Sequence, residues 1–154
     1  ESTITNSSAW FNTNDGIGAG NGSTVANCTT GSNGDDGIVV NTGATVRGCT
    51  SSFNTGDGIN ANISSYVVDN TCHSNGNAGG NGAGIHITQF GNRIEGNSVT
   101  GNDRGIDVDV AGNTVFRNTA RGNTLNYDIV AGNDIGPIGN AATATSPWAN
   151  IVIP

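Results

Sequence analysis

Methionine and lysine are absent from this chain of 154 residues, proline occurs 3 times, and only 11% of the residues carry a charge. Strong helix formers are too scarce for a helical bundle, and the low charge argues against a solvated disordered tail. The basic side chains are 5 arginines, four of them beyond residue 90, in a chain of net charge −7. That leaves no basic stripe for a phosphate backbone, so nucleic acid is not an expected partner. No apolar run approaches the ~20 residues of a membrane span. Glu1 opens without a signal-peptide pattern, so the chain reads as a mature protein or an excised fragment. Its 3 cysteines, Cys28, Cys49 and Cys72, lack CxxC spacing and a neighbouring His cluster. Zinc and a disulfide framework are therefore disfavoured, and small buried residues are the default. The length suits one domain with its own core.

What the chain has in abundance is glycine, asparagine and threonine, arranged with a period. A Gly-Ile step recurs at Gly16-Ile17, Gly37-Ile38, Gly58-Ile59, Gly84-Ile85 and Gly105-Ile106, at spacings of 21, 21, 26 and 21. In phase with it, an apolar residue precedes Asn by eight positions: Ile4/Asn12, Val25/Asn33, Val46/Asn54, Val67/Asn75, Ile94/Asn102 and Val115/Asn123. Within each unit the apolar residues alternate, as in Ile85-x-Ile87 and Ile106-x-Val108-x-Val110, which is strand periodicity. A unit this short cannot close a core by itself, whereas stacked units can. The expected fold is all-β: a parallel β-solenoid of about six coils, in which like residues form columns roughly 4.8 Å apart.

The Asn column predicts an asparagine ladder, with side-chain amides donating and accepting along it and αL geometry tolerated at the same residue. The repeats should occupy residues 1–135. The fourth coil holds about five extra residues near 76–82, expected to bulge as a mobile loop. Residues 136–154 carry Pro137, Trp148, Ile151, Val152 and Ile153 and should cap the last coil. No comparable cap precedes Ile4, so upstream coils or a homo-oligomeric partner are expected to cover that end.

Stretches such as Gly91-Asn92-Arg93-Ile94-Glu95-Gly96-Asn97 and Gly101-Asn102-Asp103-Arg104-Gly105-Ile106 resemble the right-handed parallel β-helix repeat family of the pectate-lyase-like superfamily. The resemblance covers about residues 1–135 and implies a right-handed, single-stranded β-helix. Proteins with this repeat include lyases, hydrolases, epimerases, adhesins and phage tail proteins, so it implies no single activity.

The Ile of each Gly-Ile step should point inward, which turns the next residue outward. Gly18, Val39, Asn60, His86, Asp107 and Val130 are then expected in one outward column, and Gly20, Asn41, Asn62, Thr88 and Asp109 in a second. Asn60, Asn62, His86, Thr88, Asp107 and Asp109 would form a ligand-binding face, with Arg104 at the turn before it. Across one coil spacing, Asp107 should orient the His86 imidazole or raise its pKa. If there is catalysis, His86, Asp107 and Arg104 are the candidates: acid or base from the first two, charge stabilisation from the arginine. The resemblance points to the same face, where related lyases carry their substrate groove.

Asp35-Asp36 resembles the paired aspartates of polygalacturonase-type hydrolases, but the rest of that signature is missing, and Arg93-Ile94-Glu95 ends on the wrong charge for its Arg-Ile-Lys element. Asp36 also stacks with Asp15 and Asp57, each directly before Gly-Ile, which reads as a turn aspartate bonding backbone amides. Their mutual repulsion leaves Asp15, Asp36 and Asp57 as candidates for a Ca²⁺ site. The hydroxyl column Ser8, Thr29, Thr50, Thr71, Ser98 and Thr119 reflects strand propensity. Its neighbour, Trp10, Gly31, Ser52, His73, Thr100 and Arg121, is too uneven for an ice-binding lattice. Cys28 and Cys49 should lie within disulfide range but parallel, so a bond is not expected.

These features predict an extracellular or cell-surface β-helix module that binds polysaccharide along the Gly-Ile strands. The rival is a structural or adhesive solenoid, such as a stalk or phage fibre that buries outward Val39, Val68 and Phe116 on a threefold axis. A polysaccharide lyase or hydrolase stands third.

Overall fold

A computed structural model describes residues 1–76 and 82–154, which among themselves form strands and turns and no helix. The first coil supplies β1 (Thr3–Thr5), β2 (Ser8–Trp10) and β3 (Ile17–Ala19); the second supplies β4 (Thr24–Ala26), β5 (Thr29–Gly31) and β6 (Ile38–Val40). In the third lie β7 (Thr45–Arg47), β8 (Thr50–Ser52) and β9 (Ile59–Ala61), and in the fourth β10 (Tyr66–Val68), β11 (Thr71–His73) and β12 (Ala83–Ile87). The fifth holds β13 (Arg93–Glu95), β14 (Ser98–Thr100) and β15 (Arg104–Val108), the sixth β16 (Thr114–Phe116), β17 (Thr119–Arg121) and β18 (Leu125–Ile129). Each coil thus gives one strand to each of three parallel sheets.

The first sheet runs β1-β4-β7-β10-β13-β16 and the third runs β3-β6-β9-β12-β15-β18, all in parallel register. Middle residues of the three-residue strands of the first and second sheets point in, which makes columns such as Val25, Val46, Val67, Ile94 and Val115, all fully buried. Single-methyl differences between stacked Ile and Val keep each column filled, and a fully buried side chain of this size stabilises by about 1.5–3 kcal/mol. In the sixth coil Tyr127 takes the inward place below which Ile106 lies, and its hydroxyl donates to the Asn118 carbonyl at 2.9 Å.

The Asn side chains bond from coil to coil. Nδ2 of Asn12 donates to Oδ1 of Asn33 at 2.9 Å, and the same link joins Asn33 to Asn54, Asn54 to Asn75, Asn75 to Asn102 and Asn102 to Asn123. Each acceptor oxygen also takes a backbone N–H from the coil before it, as Asn54 Oδ1 does from Asn33 at 3.1 Å. One expectation needs correcting: none of these Asn residues has a positive φ. The left-handed residue is the one before, in the set Phe11, Ser32, Phe53, Ser74, Gly101 and Gly122. The kink is made there, which leaves the Asn backbone free to follow the next strand.

The tail, expected to cap the last coil, pairs onto the strands of the sixth. Asp134–Ile135 forms β19 on β16, while Ile138–Gly139 (β20) and Asn150–Ile153 (β21) extend the second sheet from β17. Unpaired strand edges are satisfied best by further strands, so the tail makes a partial seventh coil. Phe116, expected as an exposed outward residue, is 9% exposed. Trp148 packs edge-on to it at 5.3 Å and the Arg93 guanidinium lies 4.8 Å over its ring. Cys28, Cys49 and Cys72 are buried free thiols. The predicted bulge near 76–82 falls largely on residues 77–81, outside the described residues.

Candidate functional site

The third sheet sets the spacing of the site. Pairing Asn60 with His86, His86 with Asp107 and Asp107 with Asp128 puts four polar residues in one outward row, one coil apart. The row ends on Asp128 and not on Val130. Asn126-Tyr127 replaces Gly-Ile in the sixth coil, so the marker that sets the register is missing there. Val130 instead follows Asp109 in the second row, since its N–H donates to the Val108 carbonyl at 3.2 Å. Asn62 and Thr88 precede Asp109 in that row, donating from their backbone N–H to Val40 and Ala61.

His86 does not bond to Asp107 as expected. Its Nδ1 lies 2.8 Å from Asp57 Oδ2 and its Nε2 lies 3.0 Å from Asp109 Oδ2. The side chain leans across the strand rather than along its own row, because Asp107 is taken by Arg104, with Nη1 to Oδ2 at 2.9 Å. Arg104 also reaches up to Asp128, at 3.0 Å from Nε. Burial opposes charge on His86, but the bonds from Asp57 and Asp109 and the nearby Asp107 outweigh it and push its pKa up to about 9. The imidazole is therefore a cation at neutral pH, with both N–H groups donated. Burial raises the Asp107 carboxyl, against the pull of His86 and Arg104.

The turn aspartates are held by backbone amides of the next coil. Asp36 N–H donates to Asp15 Oδ1 at 3.2 Å, Asp57 N–H to Asp36 Oδ1 at 2.6 Å, and Ala83 N–H to Asp57 Oδ1 at 2.7 Å. Asn60 Nδ2 bridges Asp36 and Asp57 at 3.1 and 3.3 Å. Burial, with Asp57 and Asp35 adding repulsion, lifts Asp36 to about 6. The candidate cation-binding set separates: Asp15, Asp35 and Asp36 each offer an oxygen within 4.8 Å of the others, whereas Asp57 turns to His86. Such an all-oxygen group suits a hard cation such as Ca²⁺. His86, Asp107 and Asp109 also offer atoms within 4.8 Å of one another, with the imidazole nitrogens bonded to Asp57 and Asp109.

Asp57 as the partner of His86, and Asp128 as the end of the row, escaped the sequence reading. The first follows from side-chain lean; the second was within reach, since Asp128 stands one period beyond Asp107.

A stacked solenoid of three parallel sheets with a polar row on one of them defines the class of protein. The chain belongs to the right-handed β-helix family: the model described as "Right handed beta helix region" matches residues 1–143. No curated protein sequence matches it. Solved structures similar in fold include the following two. Pectate lyase Pel9A superposes with a TM-score of 0.70 at 20% identity, over 98% of this chain and 46% of its own. The A-module of mannuronan C-5 epimerase AlgE6 from Azotobacter vinelandii gives 0.63 at 15% identity, over 99% of this chain and 58% of its own. The chain thus spans about half the length of these structures. Among the described residues, no helix is long and apolar enough to cross a membrane.

Proposed function

We propose that the outward face of the third sheet binds polysaccharide, in an exported or surface-exposed module. The observation that carries this reading is the row Asn60, His86, Asp107 and Asp128, flanked by Asn62, Thr88 and Asp109. Its polar groups are spaced by one coil, about 4.8 Å, along a line on which an extended glycan can lie. The two similar structures are named for acidic polysaccharides, pectate and mannuronan, which fits the same ligand class.

The state of His86 argues against its acting as a general base. A general base needs a free lone pair, and this imidazole donates both N–H groups to carboxylates. Charge also limits the ligand. Asp36, Asp57, Asp107, Asp109 and Asp128 outnumber His86 and Arg104 on this face, so a polyuronate needs a divalent cation such as Ca²⁺ between itself and the protein, whereas a neutral glycan does not.

Affinity electrophoresis in gels containing polygalacturonate or alginate, with Ca²⁺ or with EDTA, tests the proposal. Retardation is expected, weakened about tenfold in His86→Ala, which leaves Asp57 and Asp109 without the cation that orients them. A blank glycan array together with an unchanged His86→Ala variant would sink it and favour the structural or adhesive solenoid.

A further inference from the structure

The second sheet presents a different surface. Outward positions of β2, β5, β8, β11 and β14 form two rows: Ser8, Thr29, Thr50, Thr71 and Ser98, and beside them Trp10, Gly31, Ser52, His73 and Thr100. In a molecule of net charge −7 these five strands carry no Asp, Glu or Arg, and the row meets its first charge at Arg121 of β17, beside Thr100.

Trp10 lies flat on this sheet. A Cβ added to Gly31 would stand directly over Cζ3 of the indole, with Cη2 and Cε3 nearly equidistant at 2.7 and 2.8 Å. Only a ring seen face-on gives that pattern, since an edge-on ring would hold the flanking carbons farther away. One face of the indole therefore covers Gly31, and the side chain is still 42% exposed. Phe11 stands beside it, ring centroids 6.2 Å apart and 80% exposed. Two coils on, Phe53 is 48% exposed and meets the His73 ring edge-on at 4.6 Å. From the level of Gly31 to that of His73 is two coil steps, about 9.6 Å.

Nothing in the backbone asks for these phenylalanines. Phe11 and Phe53 occupy left-handed turns at φ 59° and 58°, where the equivalent residues are Ser32, Ser74, Gly101 and Gly122. A bulky residue is disfavoured in that region, and both rings remain exposed. An exposed aromatic patch rimmed by hydroxyls is the surface chemistry of a recognition site.

We infer that the second sheet is a separate binding surface for a neutral, linear polysaccharide. Pyranose rings stack on Trp10 with Phe11 and on Phe53 with His73, two platforms about a disaccharide apart, while the Ser/Thr row meets the sugar hydroxyls. The missing charge selects a neutral glycan over a uronate, and the straight row along the solenoid axis selects a linear one. This inference does not rest on the third-sheet reading, and its probes differ.

The test is affinity electrophoresis of the whole chain in native gels containing hydroxyethylcellulose, glucomannan or galactomannan, with polygalacturonate as the acidic control. Retardation by at least one neutral glycan is expected, about tenfold weaker in Trp10→Ala and in Phe53→Ser. Phe53→Ser restores the residue found at the equivalent turns, so it keeps the fold. Gly31→Ala tilts the indole off the sheet and should weaken binding with the rings still present. No retardation by any neutral glycan would overturn the inference, and so would retardation that Phe53→Ser and Gly31→Ala leave intact. A sedimentation-detected oligomer that these substitutions dissolve, without any glycan binding, would overturn it too and make the surface an interface between copies.

Discussion

At the scale of single residues, the chemistry of the third-sheet face turns on two groups whose pKa values rise on folding. His86 goes from 6.5 to about 9 between Asp57 and Asp109. Its stabilising contribution is therefore complete below pH 6.5 and lost as pH rises through about 9. Wild type should lose roughly 1 kcal/mol relative to His86→Gln over that window, after discounting for solvent screening, read as converging Tm values. Asp36 rises from 3.8 to about 6 because burial and the neighbouring aspartates disfavour its charge. Its contribution is complete below pH 3.8 and lost as pH rises through about 6. Asp36→Asn keeps an oxygen for the Asp57 amide, so it should raise Tm relative to wild type above about pH 6 and give no gain near pH 4. A thermal melt series across pH checks both variants.

At the scale of elements, the turn between the second and third sheets is held by the Asn side chains more than by strand pairing. Asn54 accepts from the Asn33 backbone and side chain and donates to Asn75 and Ser51, all in the buried interior. Removing it leaves buried donors without acceptors. Asn54→Ala should cost about 2–4 kcal/mol in urea unfolding, whereas Asn12→Ala, at the exposed end of the run, should cost about 1 kcal/mol or less. The strands and this Asn column were legible in the sequence because each coil repeats the same demand at the same position. The left-handed residue was not legible: Phe11, Ser32, Phe53 and Gly101 share no side-chain property, only a place in the turn.

At the scale of the whole molecule, each coil contacts its neighbours alone, so stability should vary along the axis. In the first coil β1, β2 and β3 are paired on one side only, and Ile4 and Ala9 are partly buried. The middle coils hold Ile59, Ile85 and Ile106 fully buried between neighbours. Native-state hydrogen exchange should find β1–β3 amides exchanging well before those of β9, β12 and β15. Uniform protection from the first coil to the sixth would contradict the nearest-neighbour picture. The same one-dimensional build gives two long faces of different character, one charged along the third sheet and one along the second that carries no charged side chain from β2 to β14.

Period, inward columns and number of coils were determined by the sequence alone, since stacking makes the fold a consequence of residues recurring every 21 positions. Gly-Ile and the Asn eight positions beyond the apolar residue place every strand that carries those marks. The partners of the outward side chains were decided only by tertiary structure. Backbone register sets His86 beside Asp107, but a long imidazole between competing carboxylates settles where charge and hydrogen bonding are best satisfied, and Arg104 had already claimed Asp107. The tail, which has no repeat to read, found its place in the same way: the open edge of β17 was the backbone left to pair, and Phe116 was the ring left to cover.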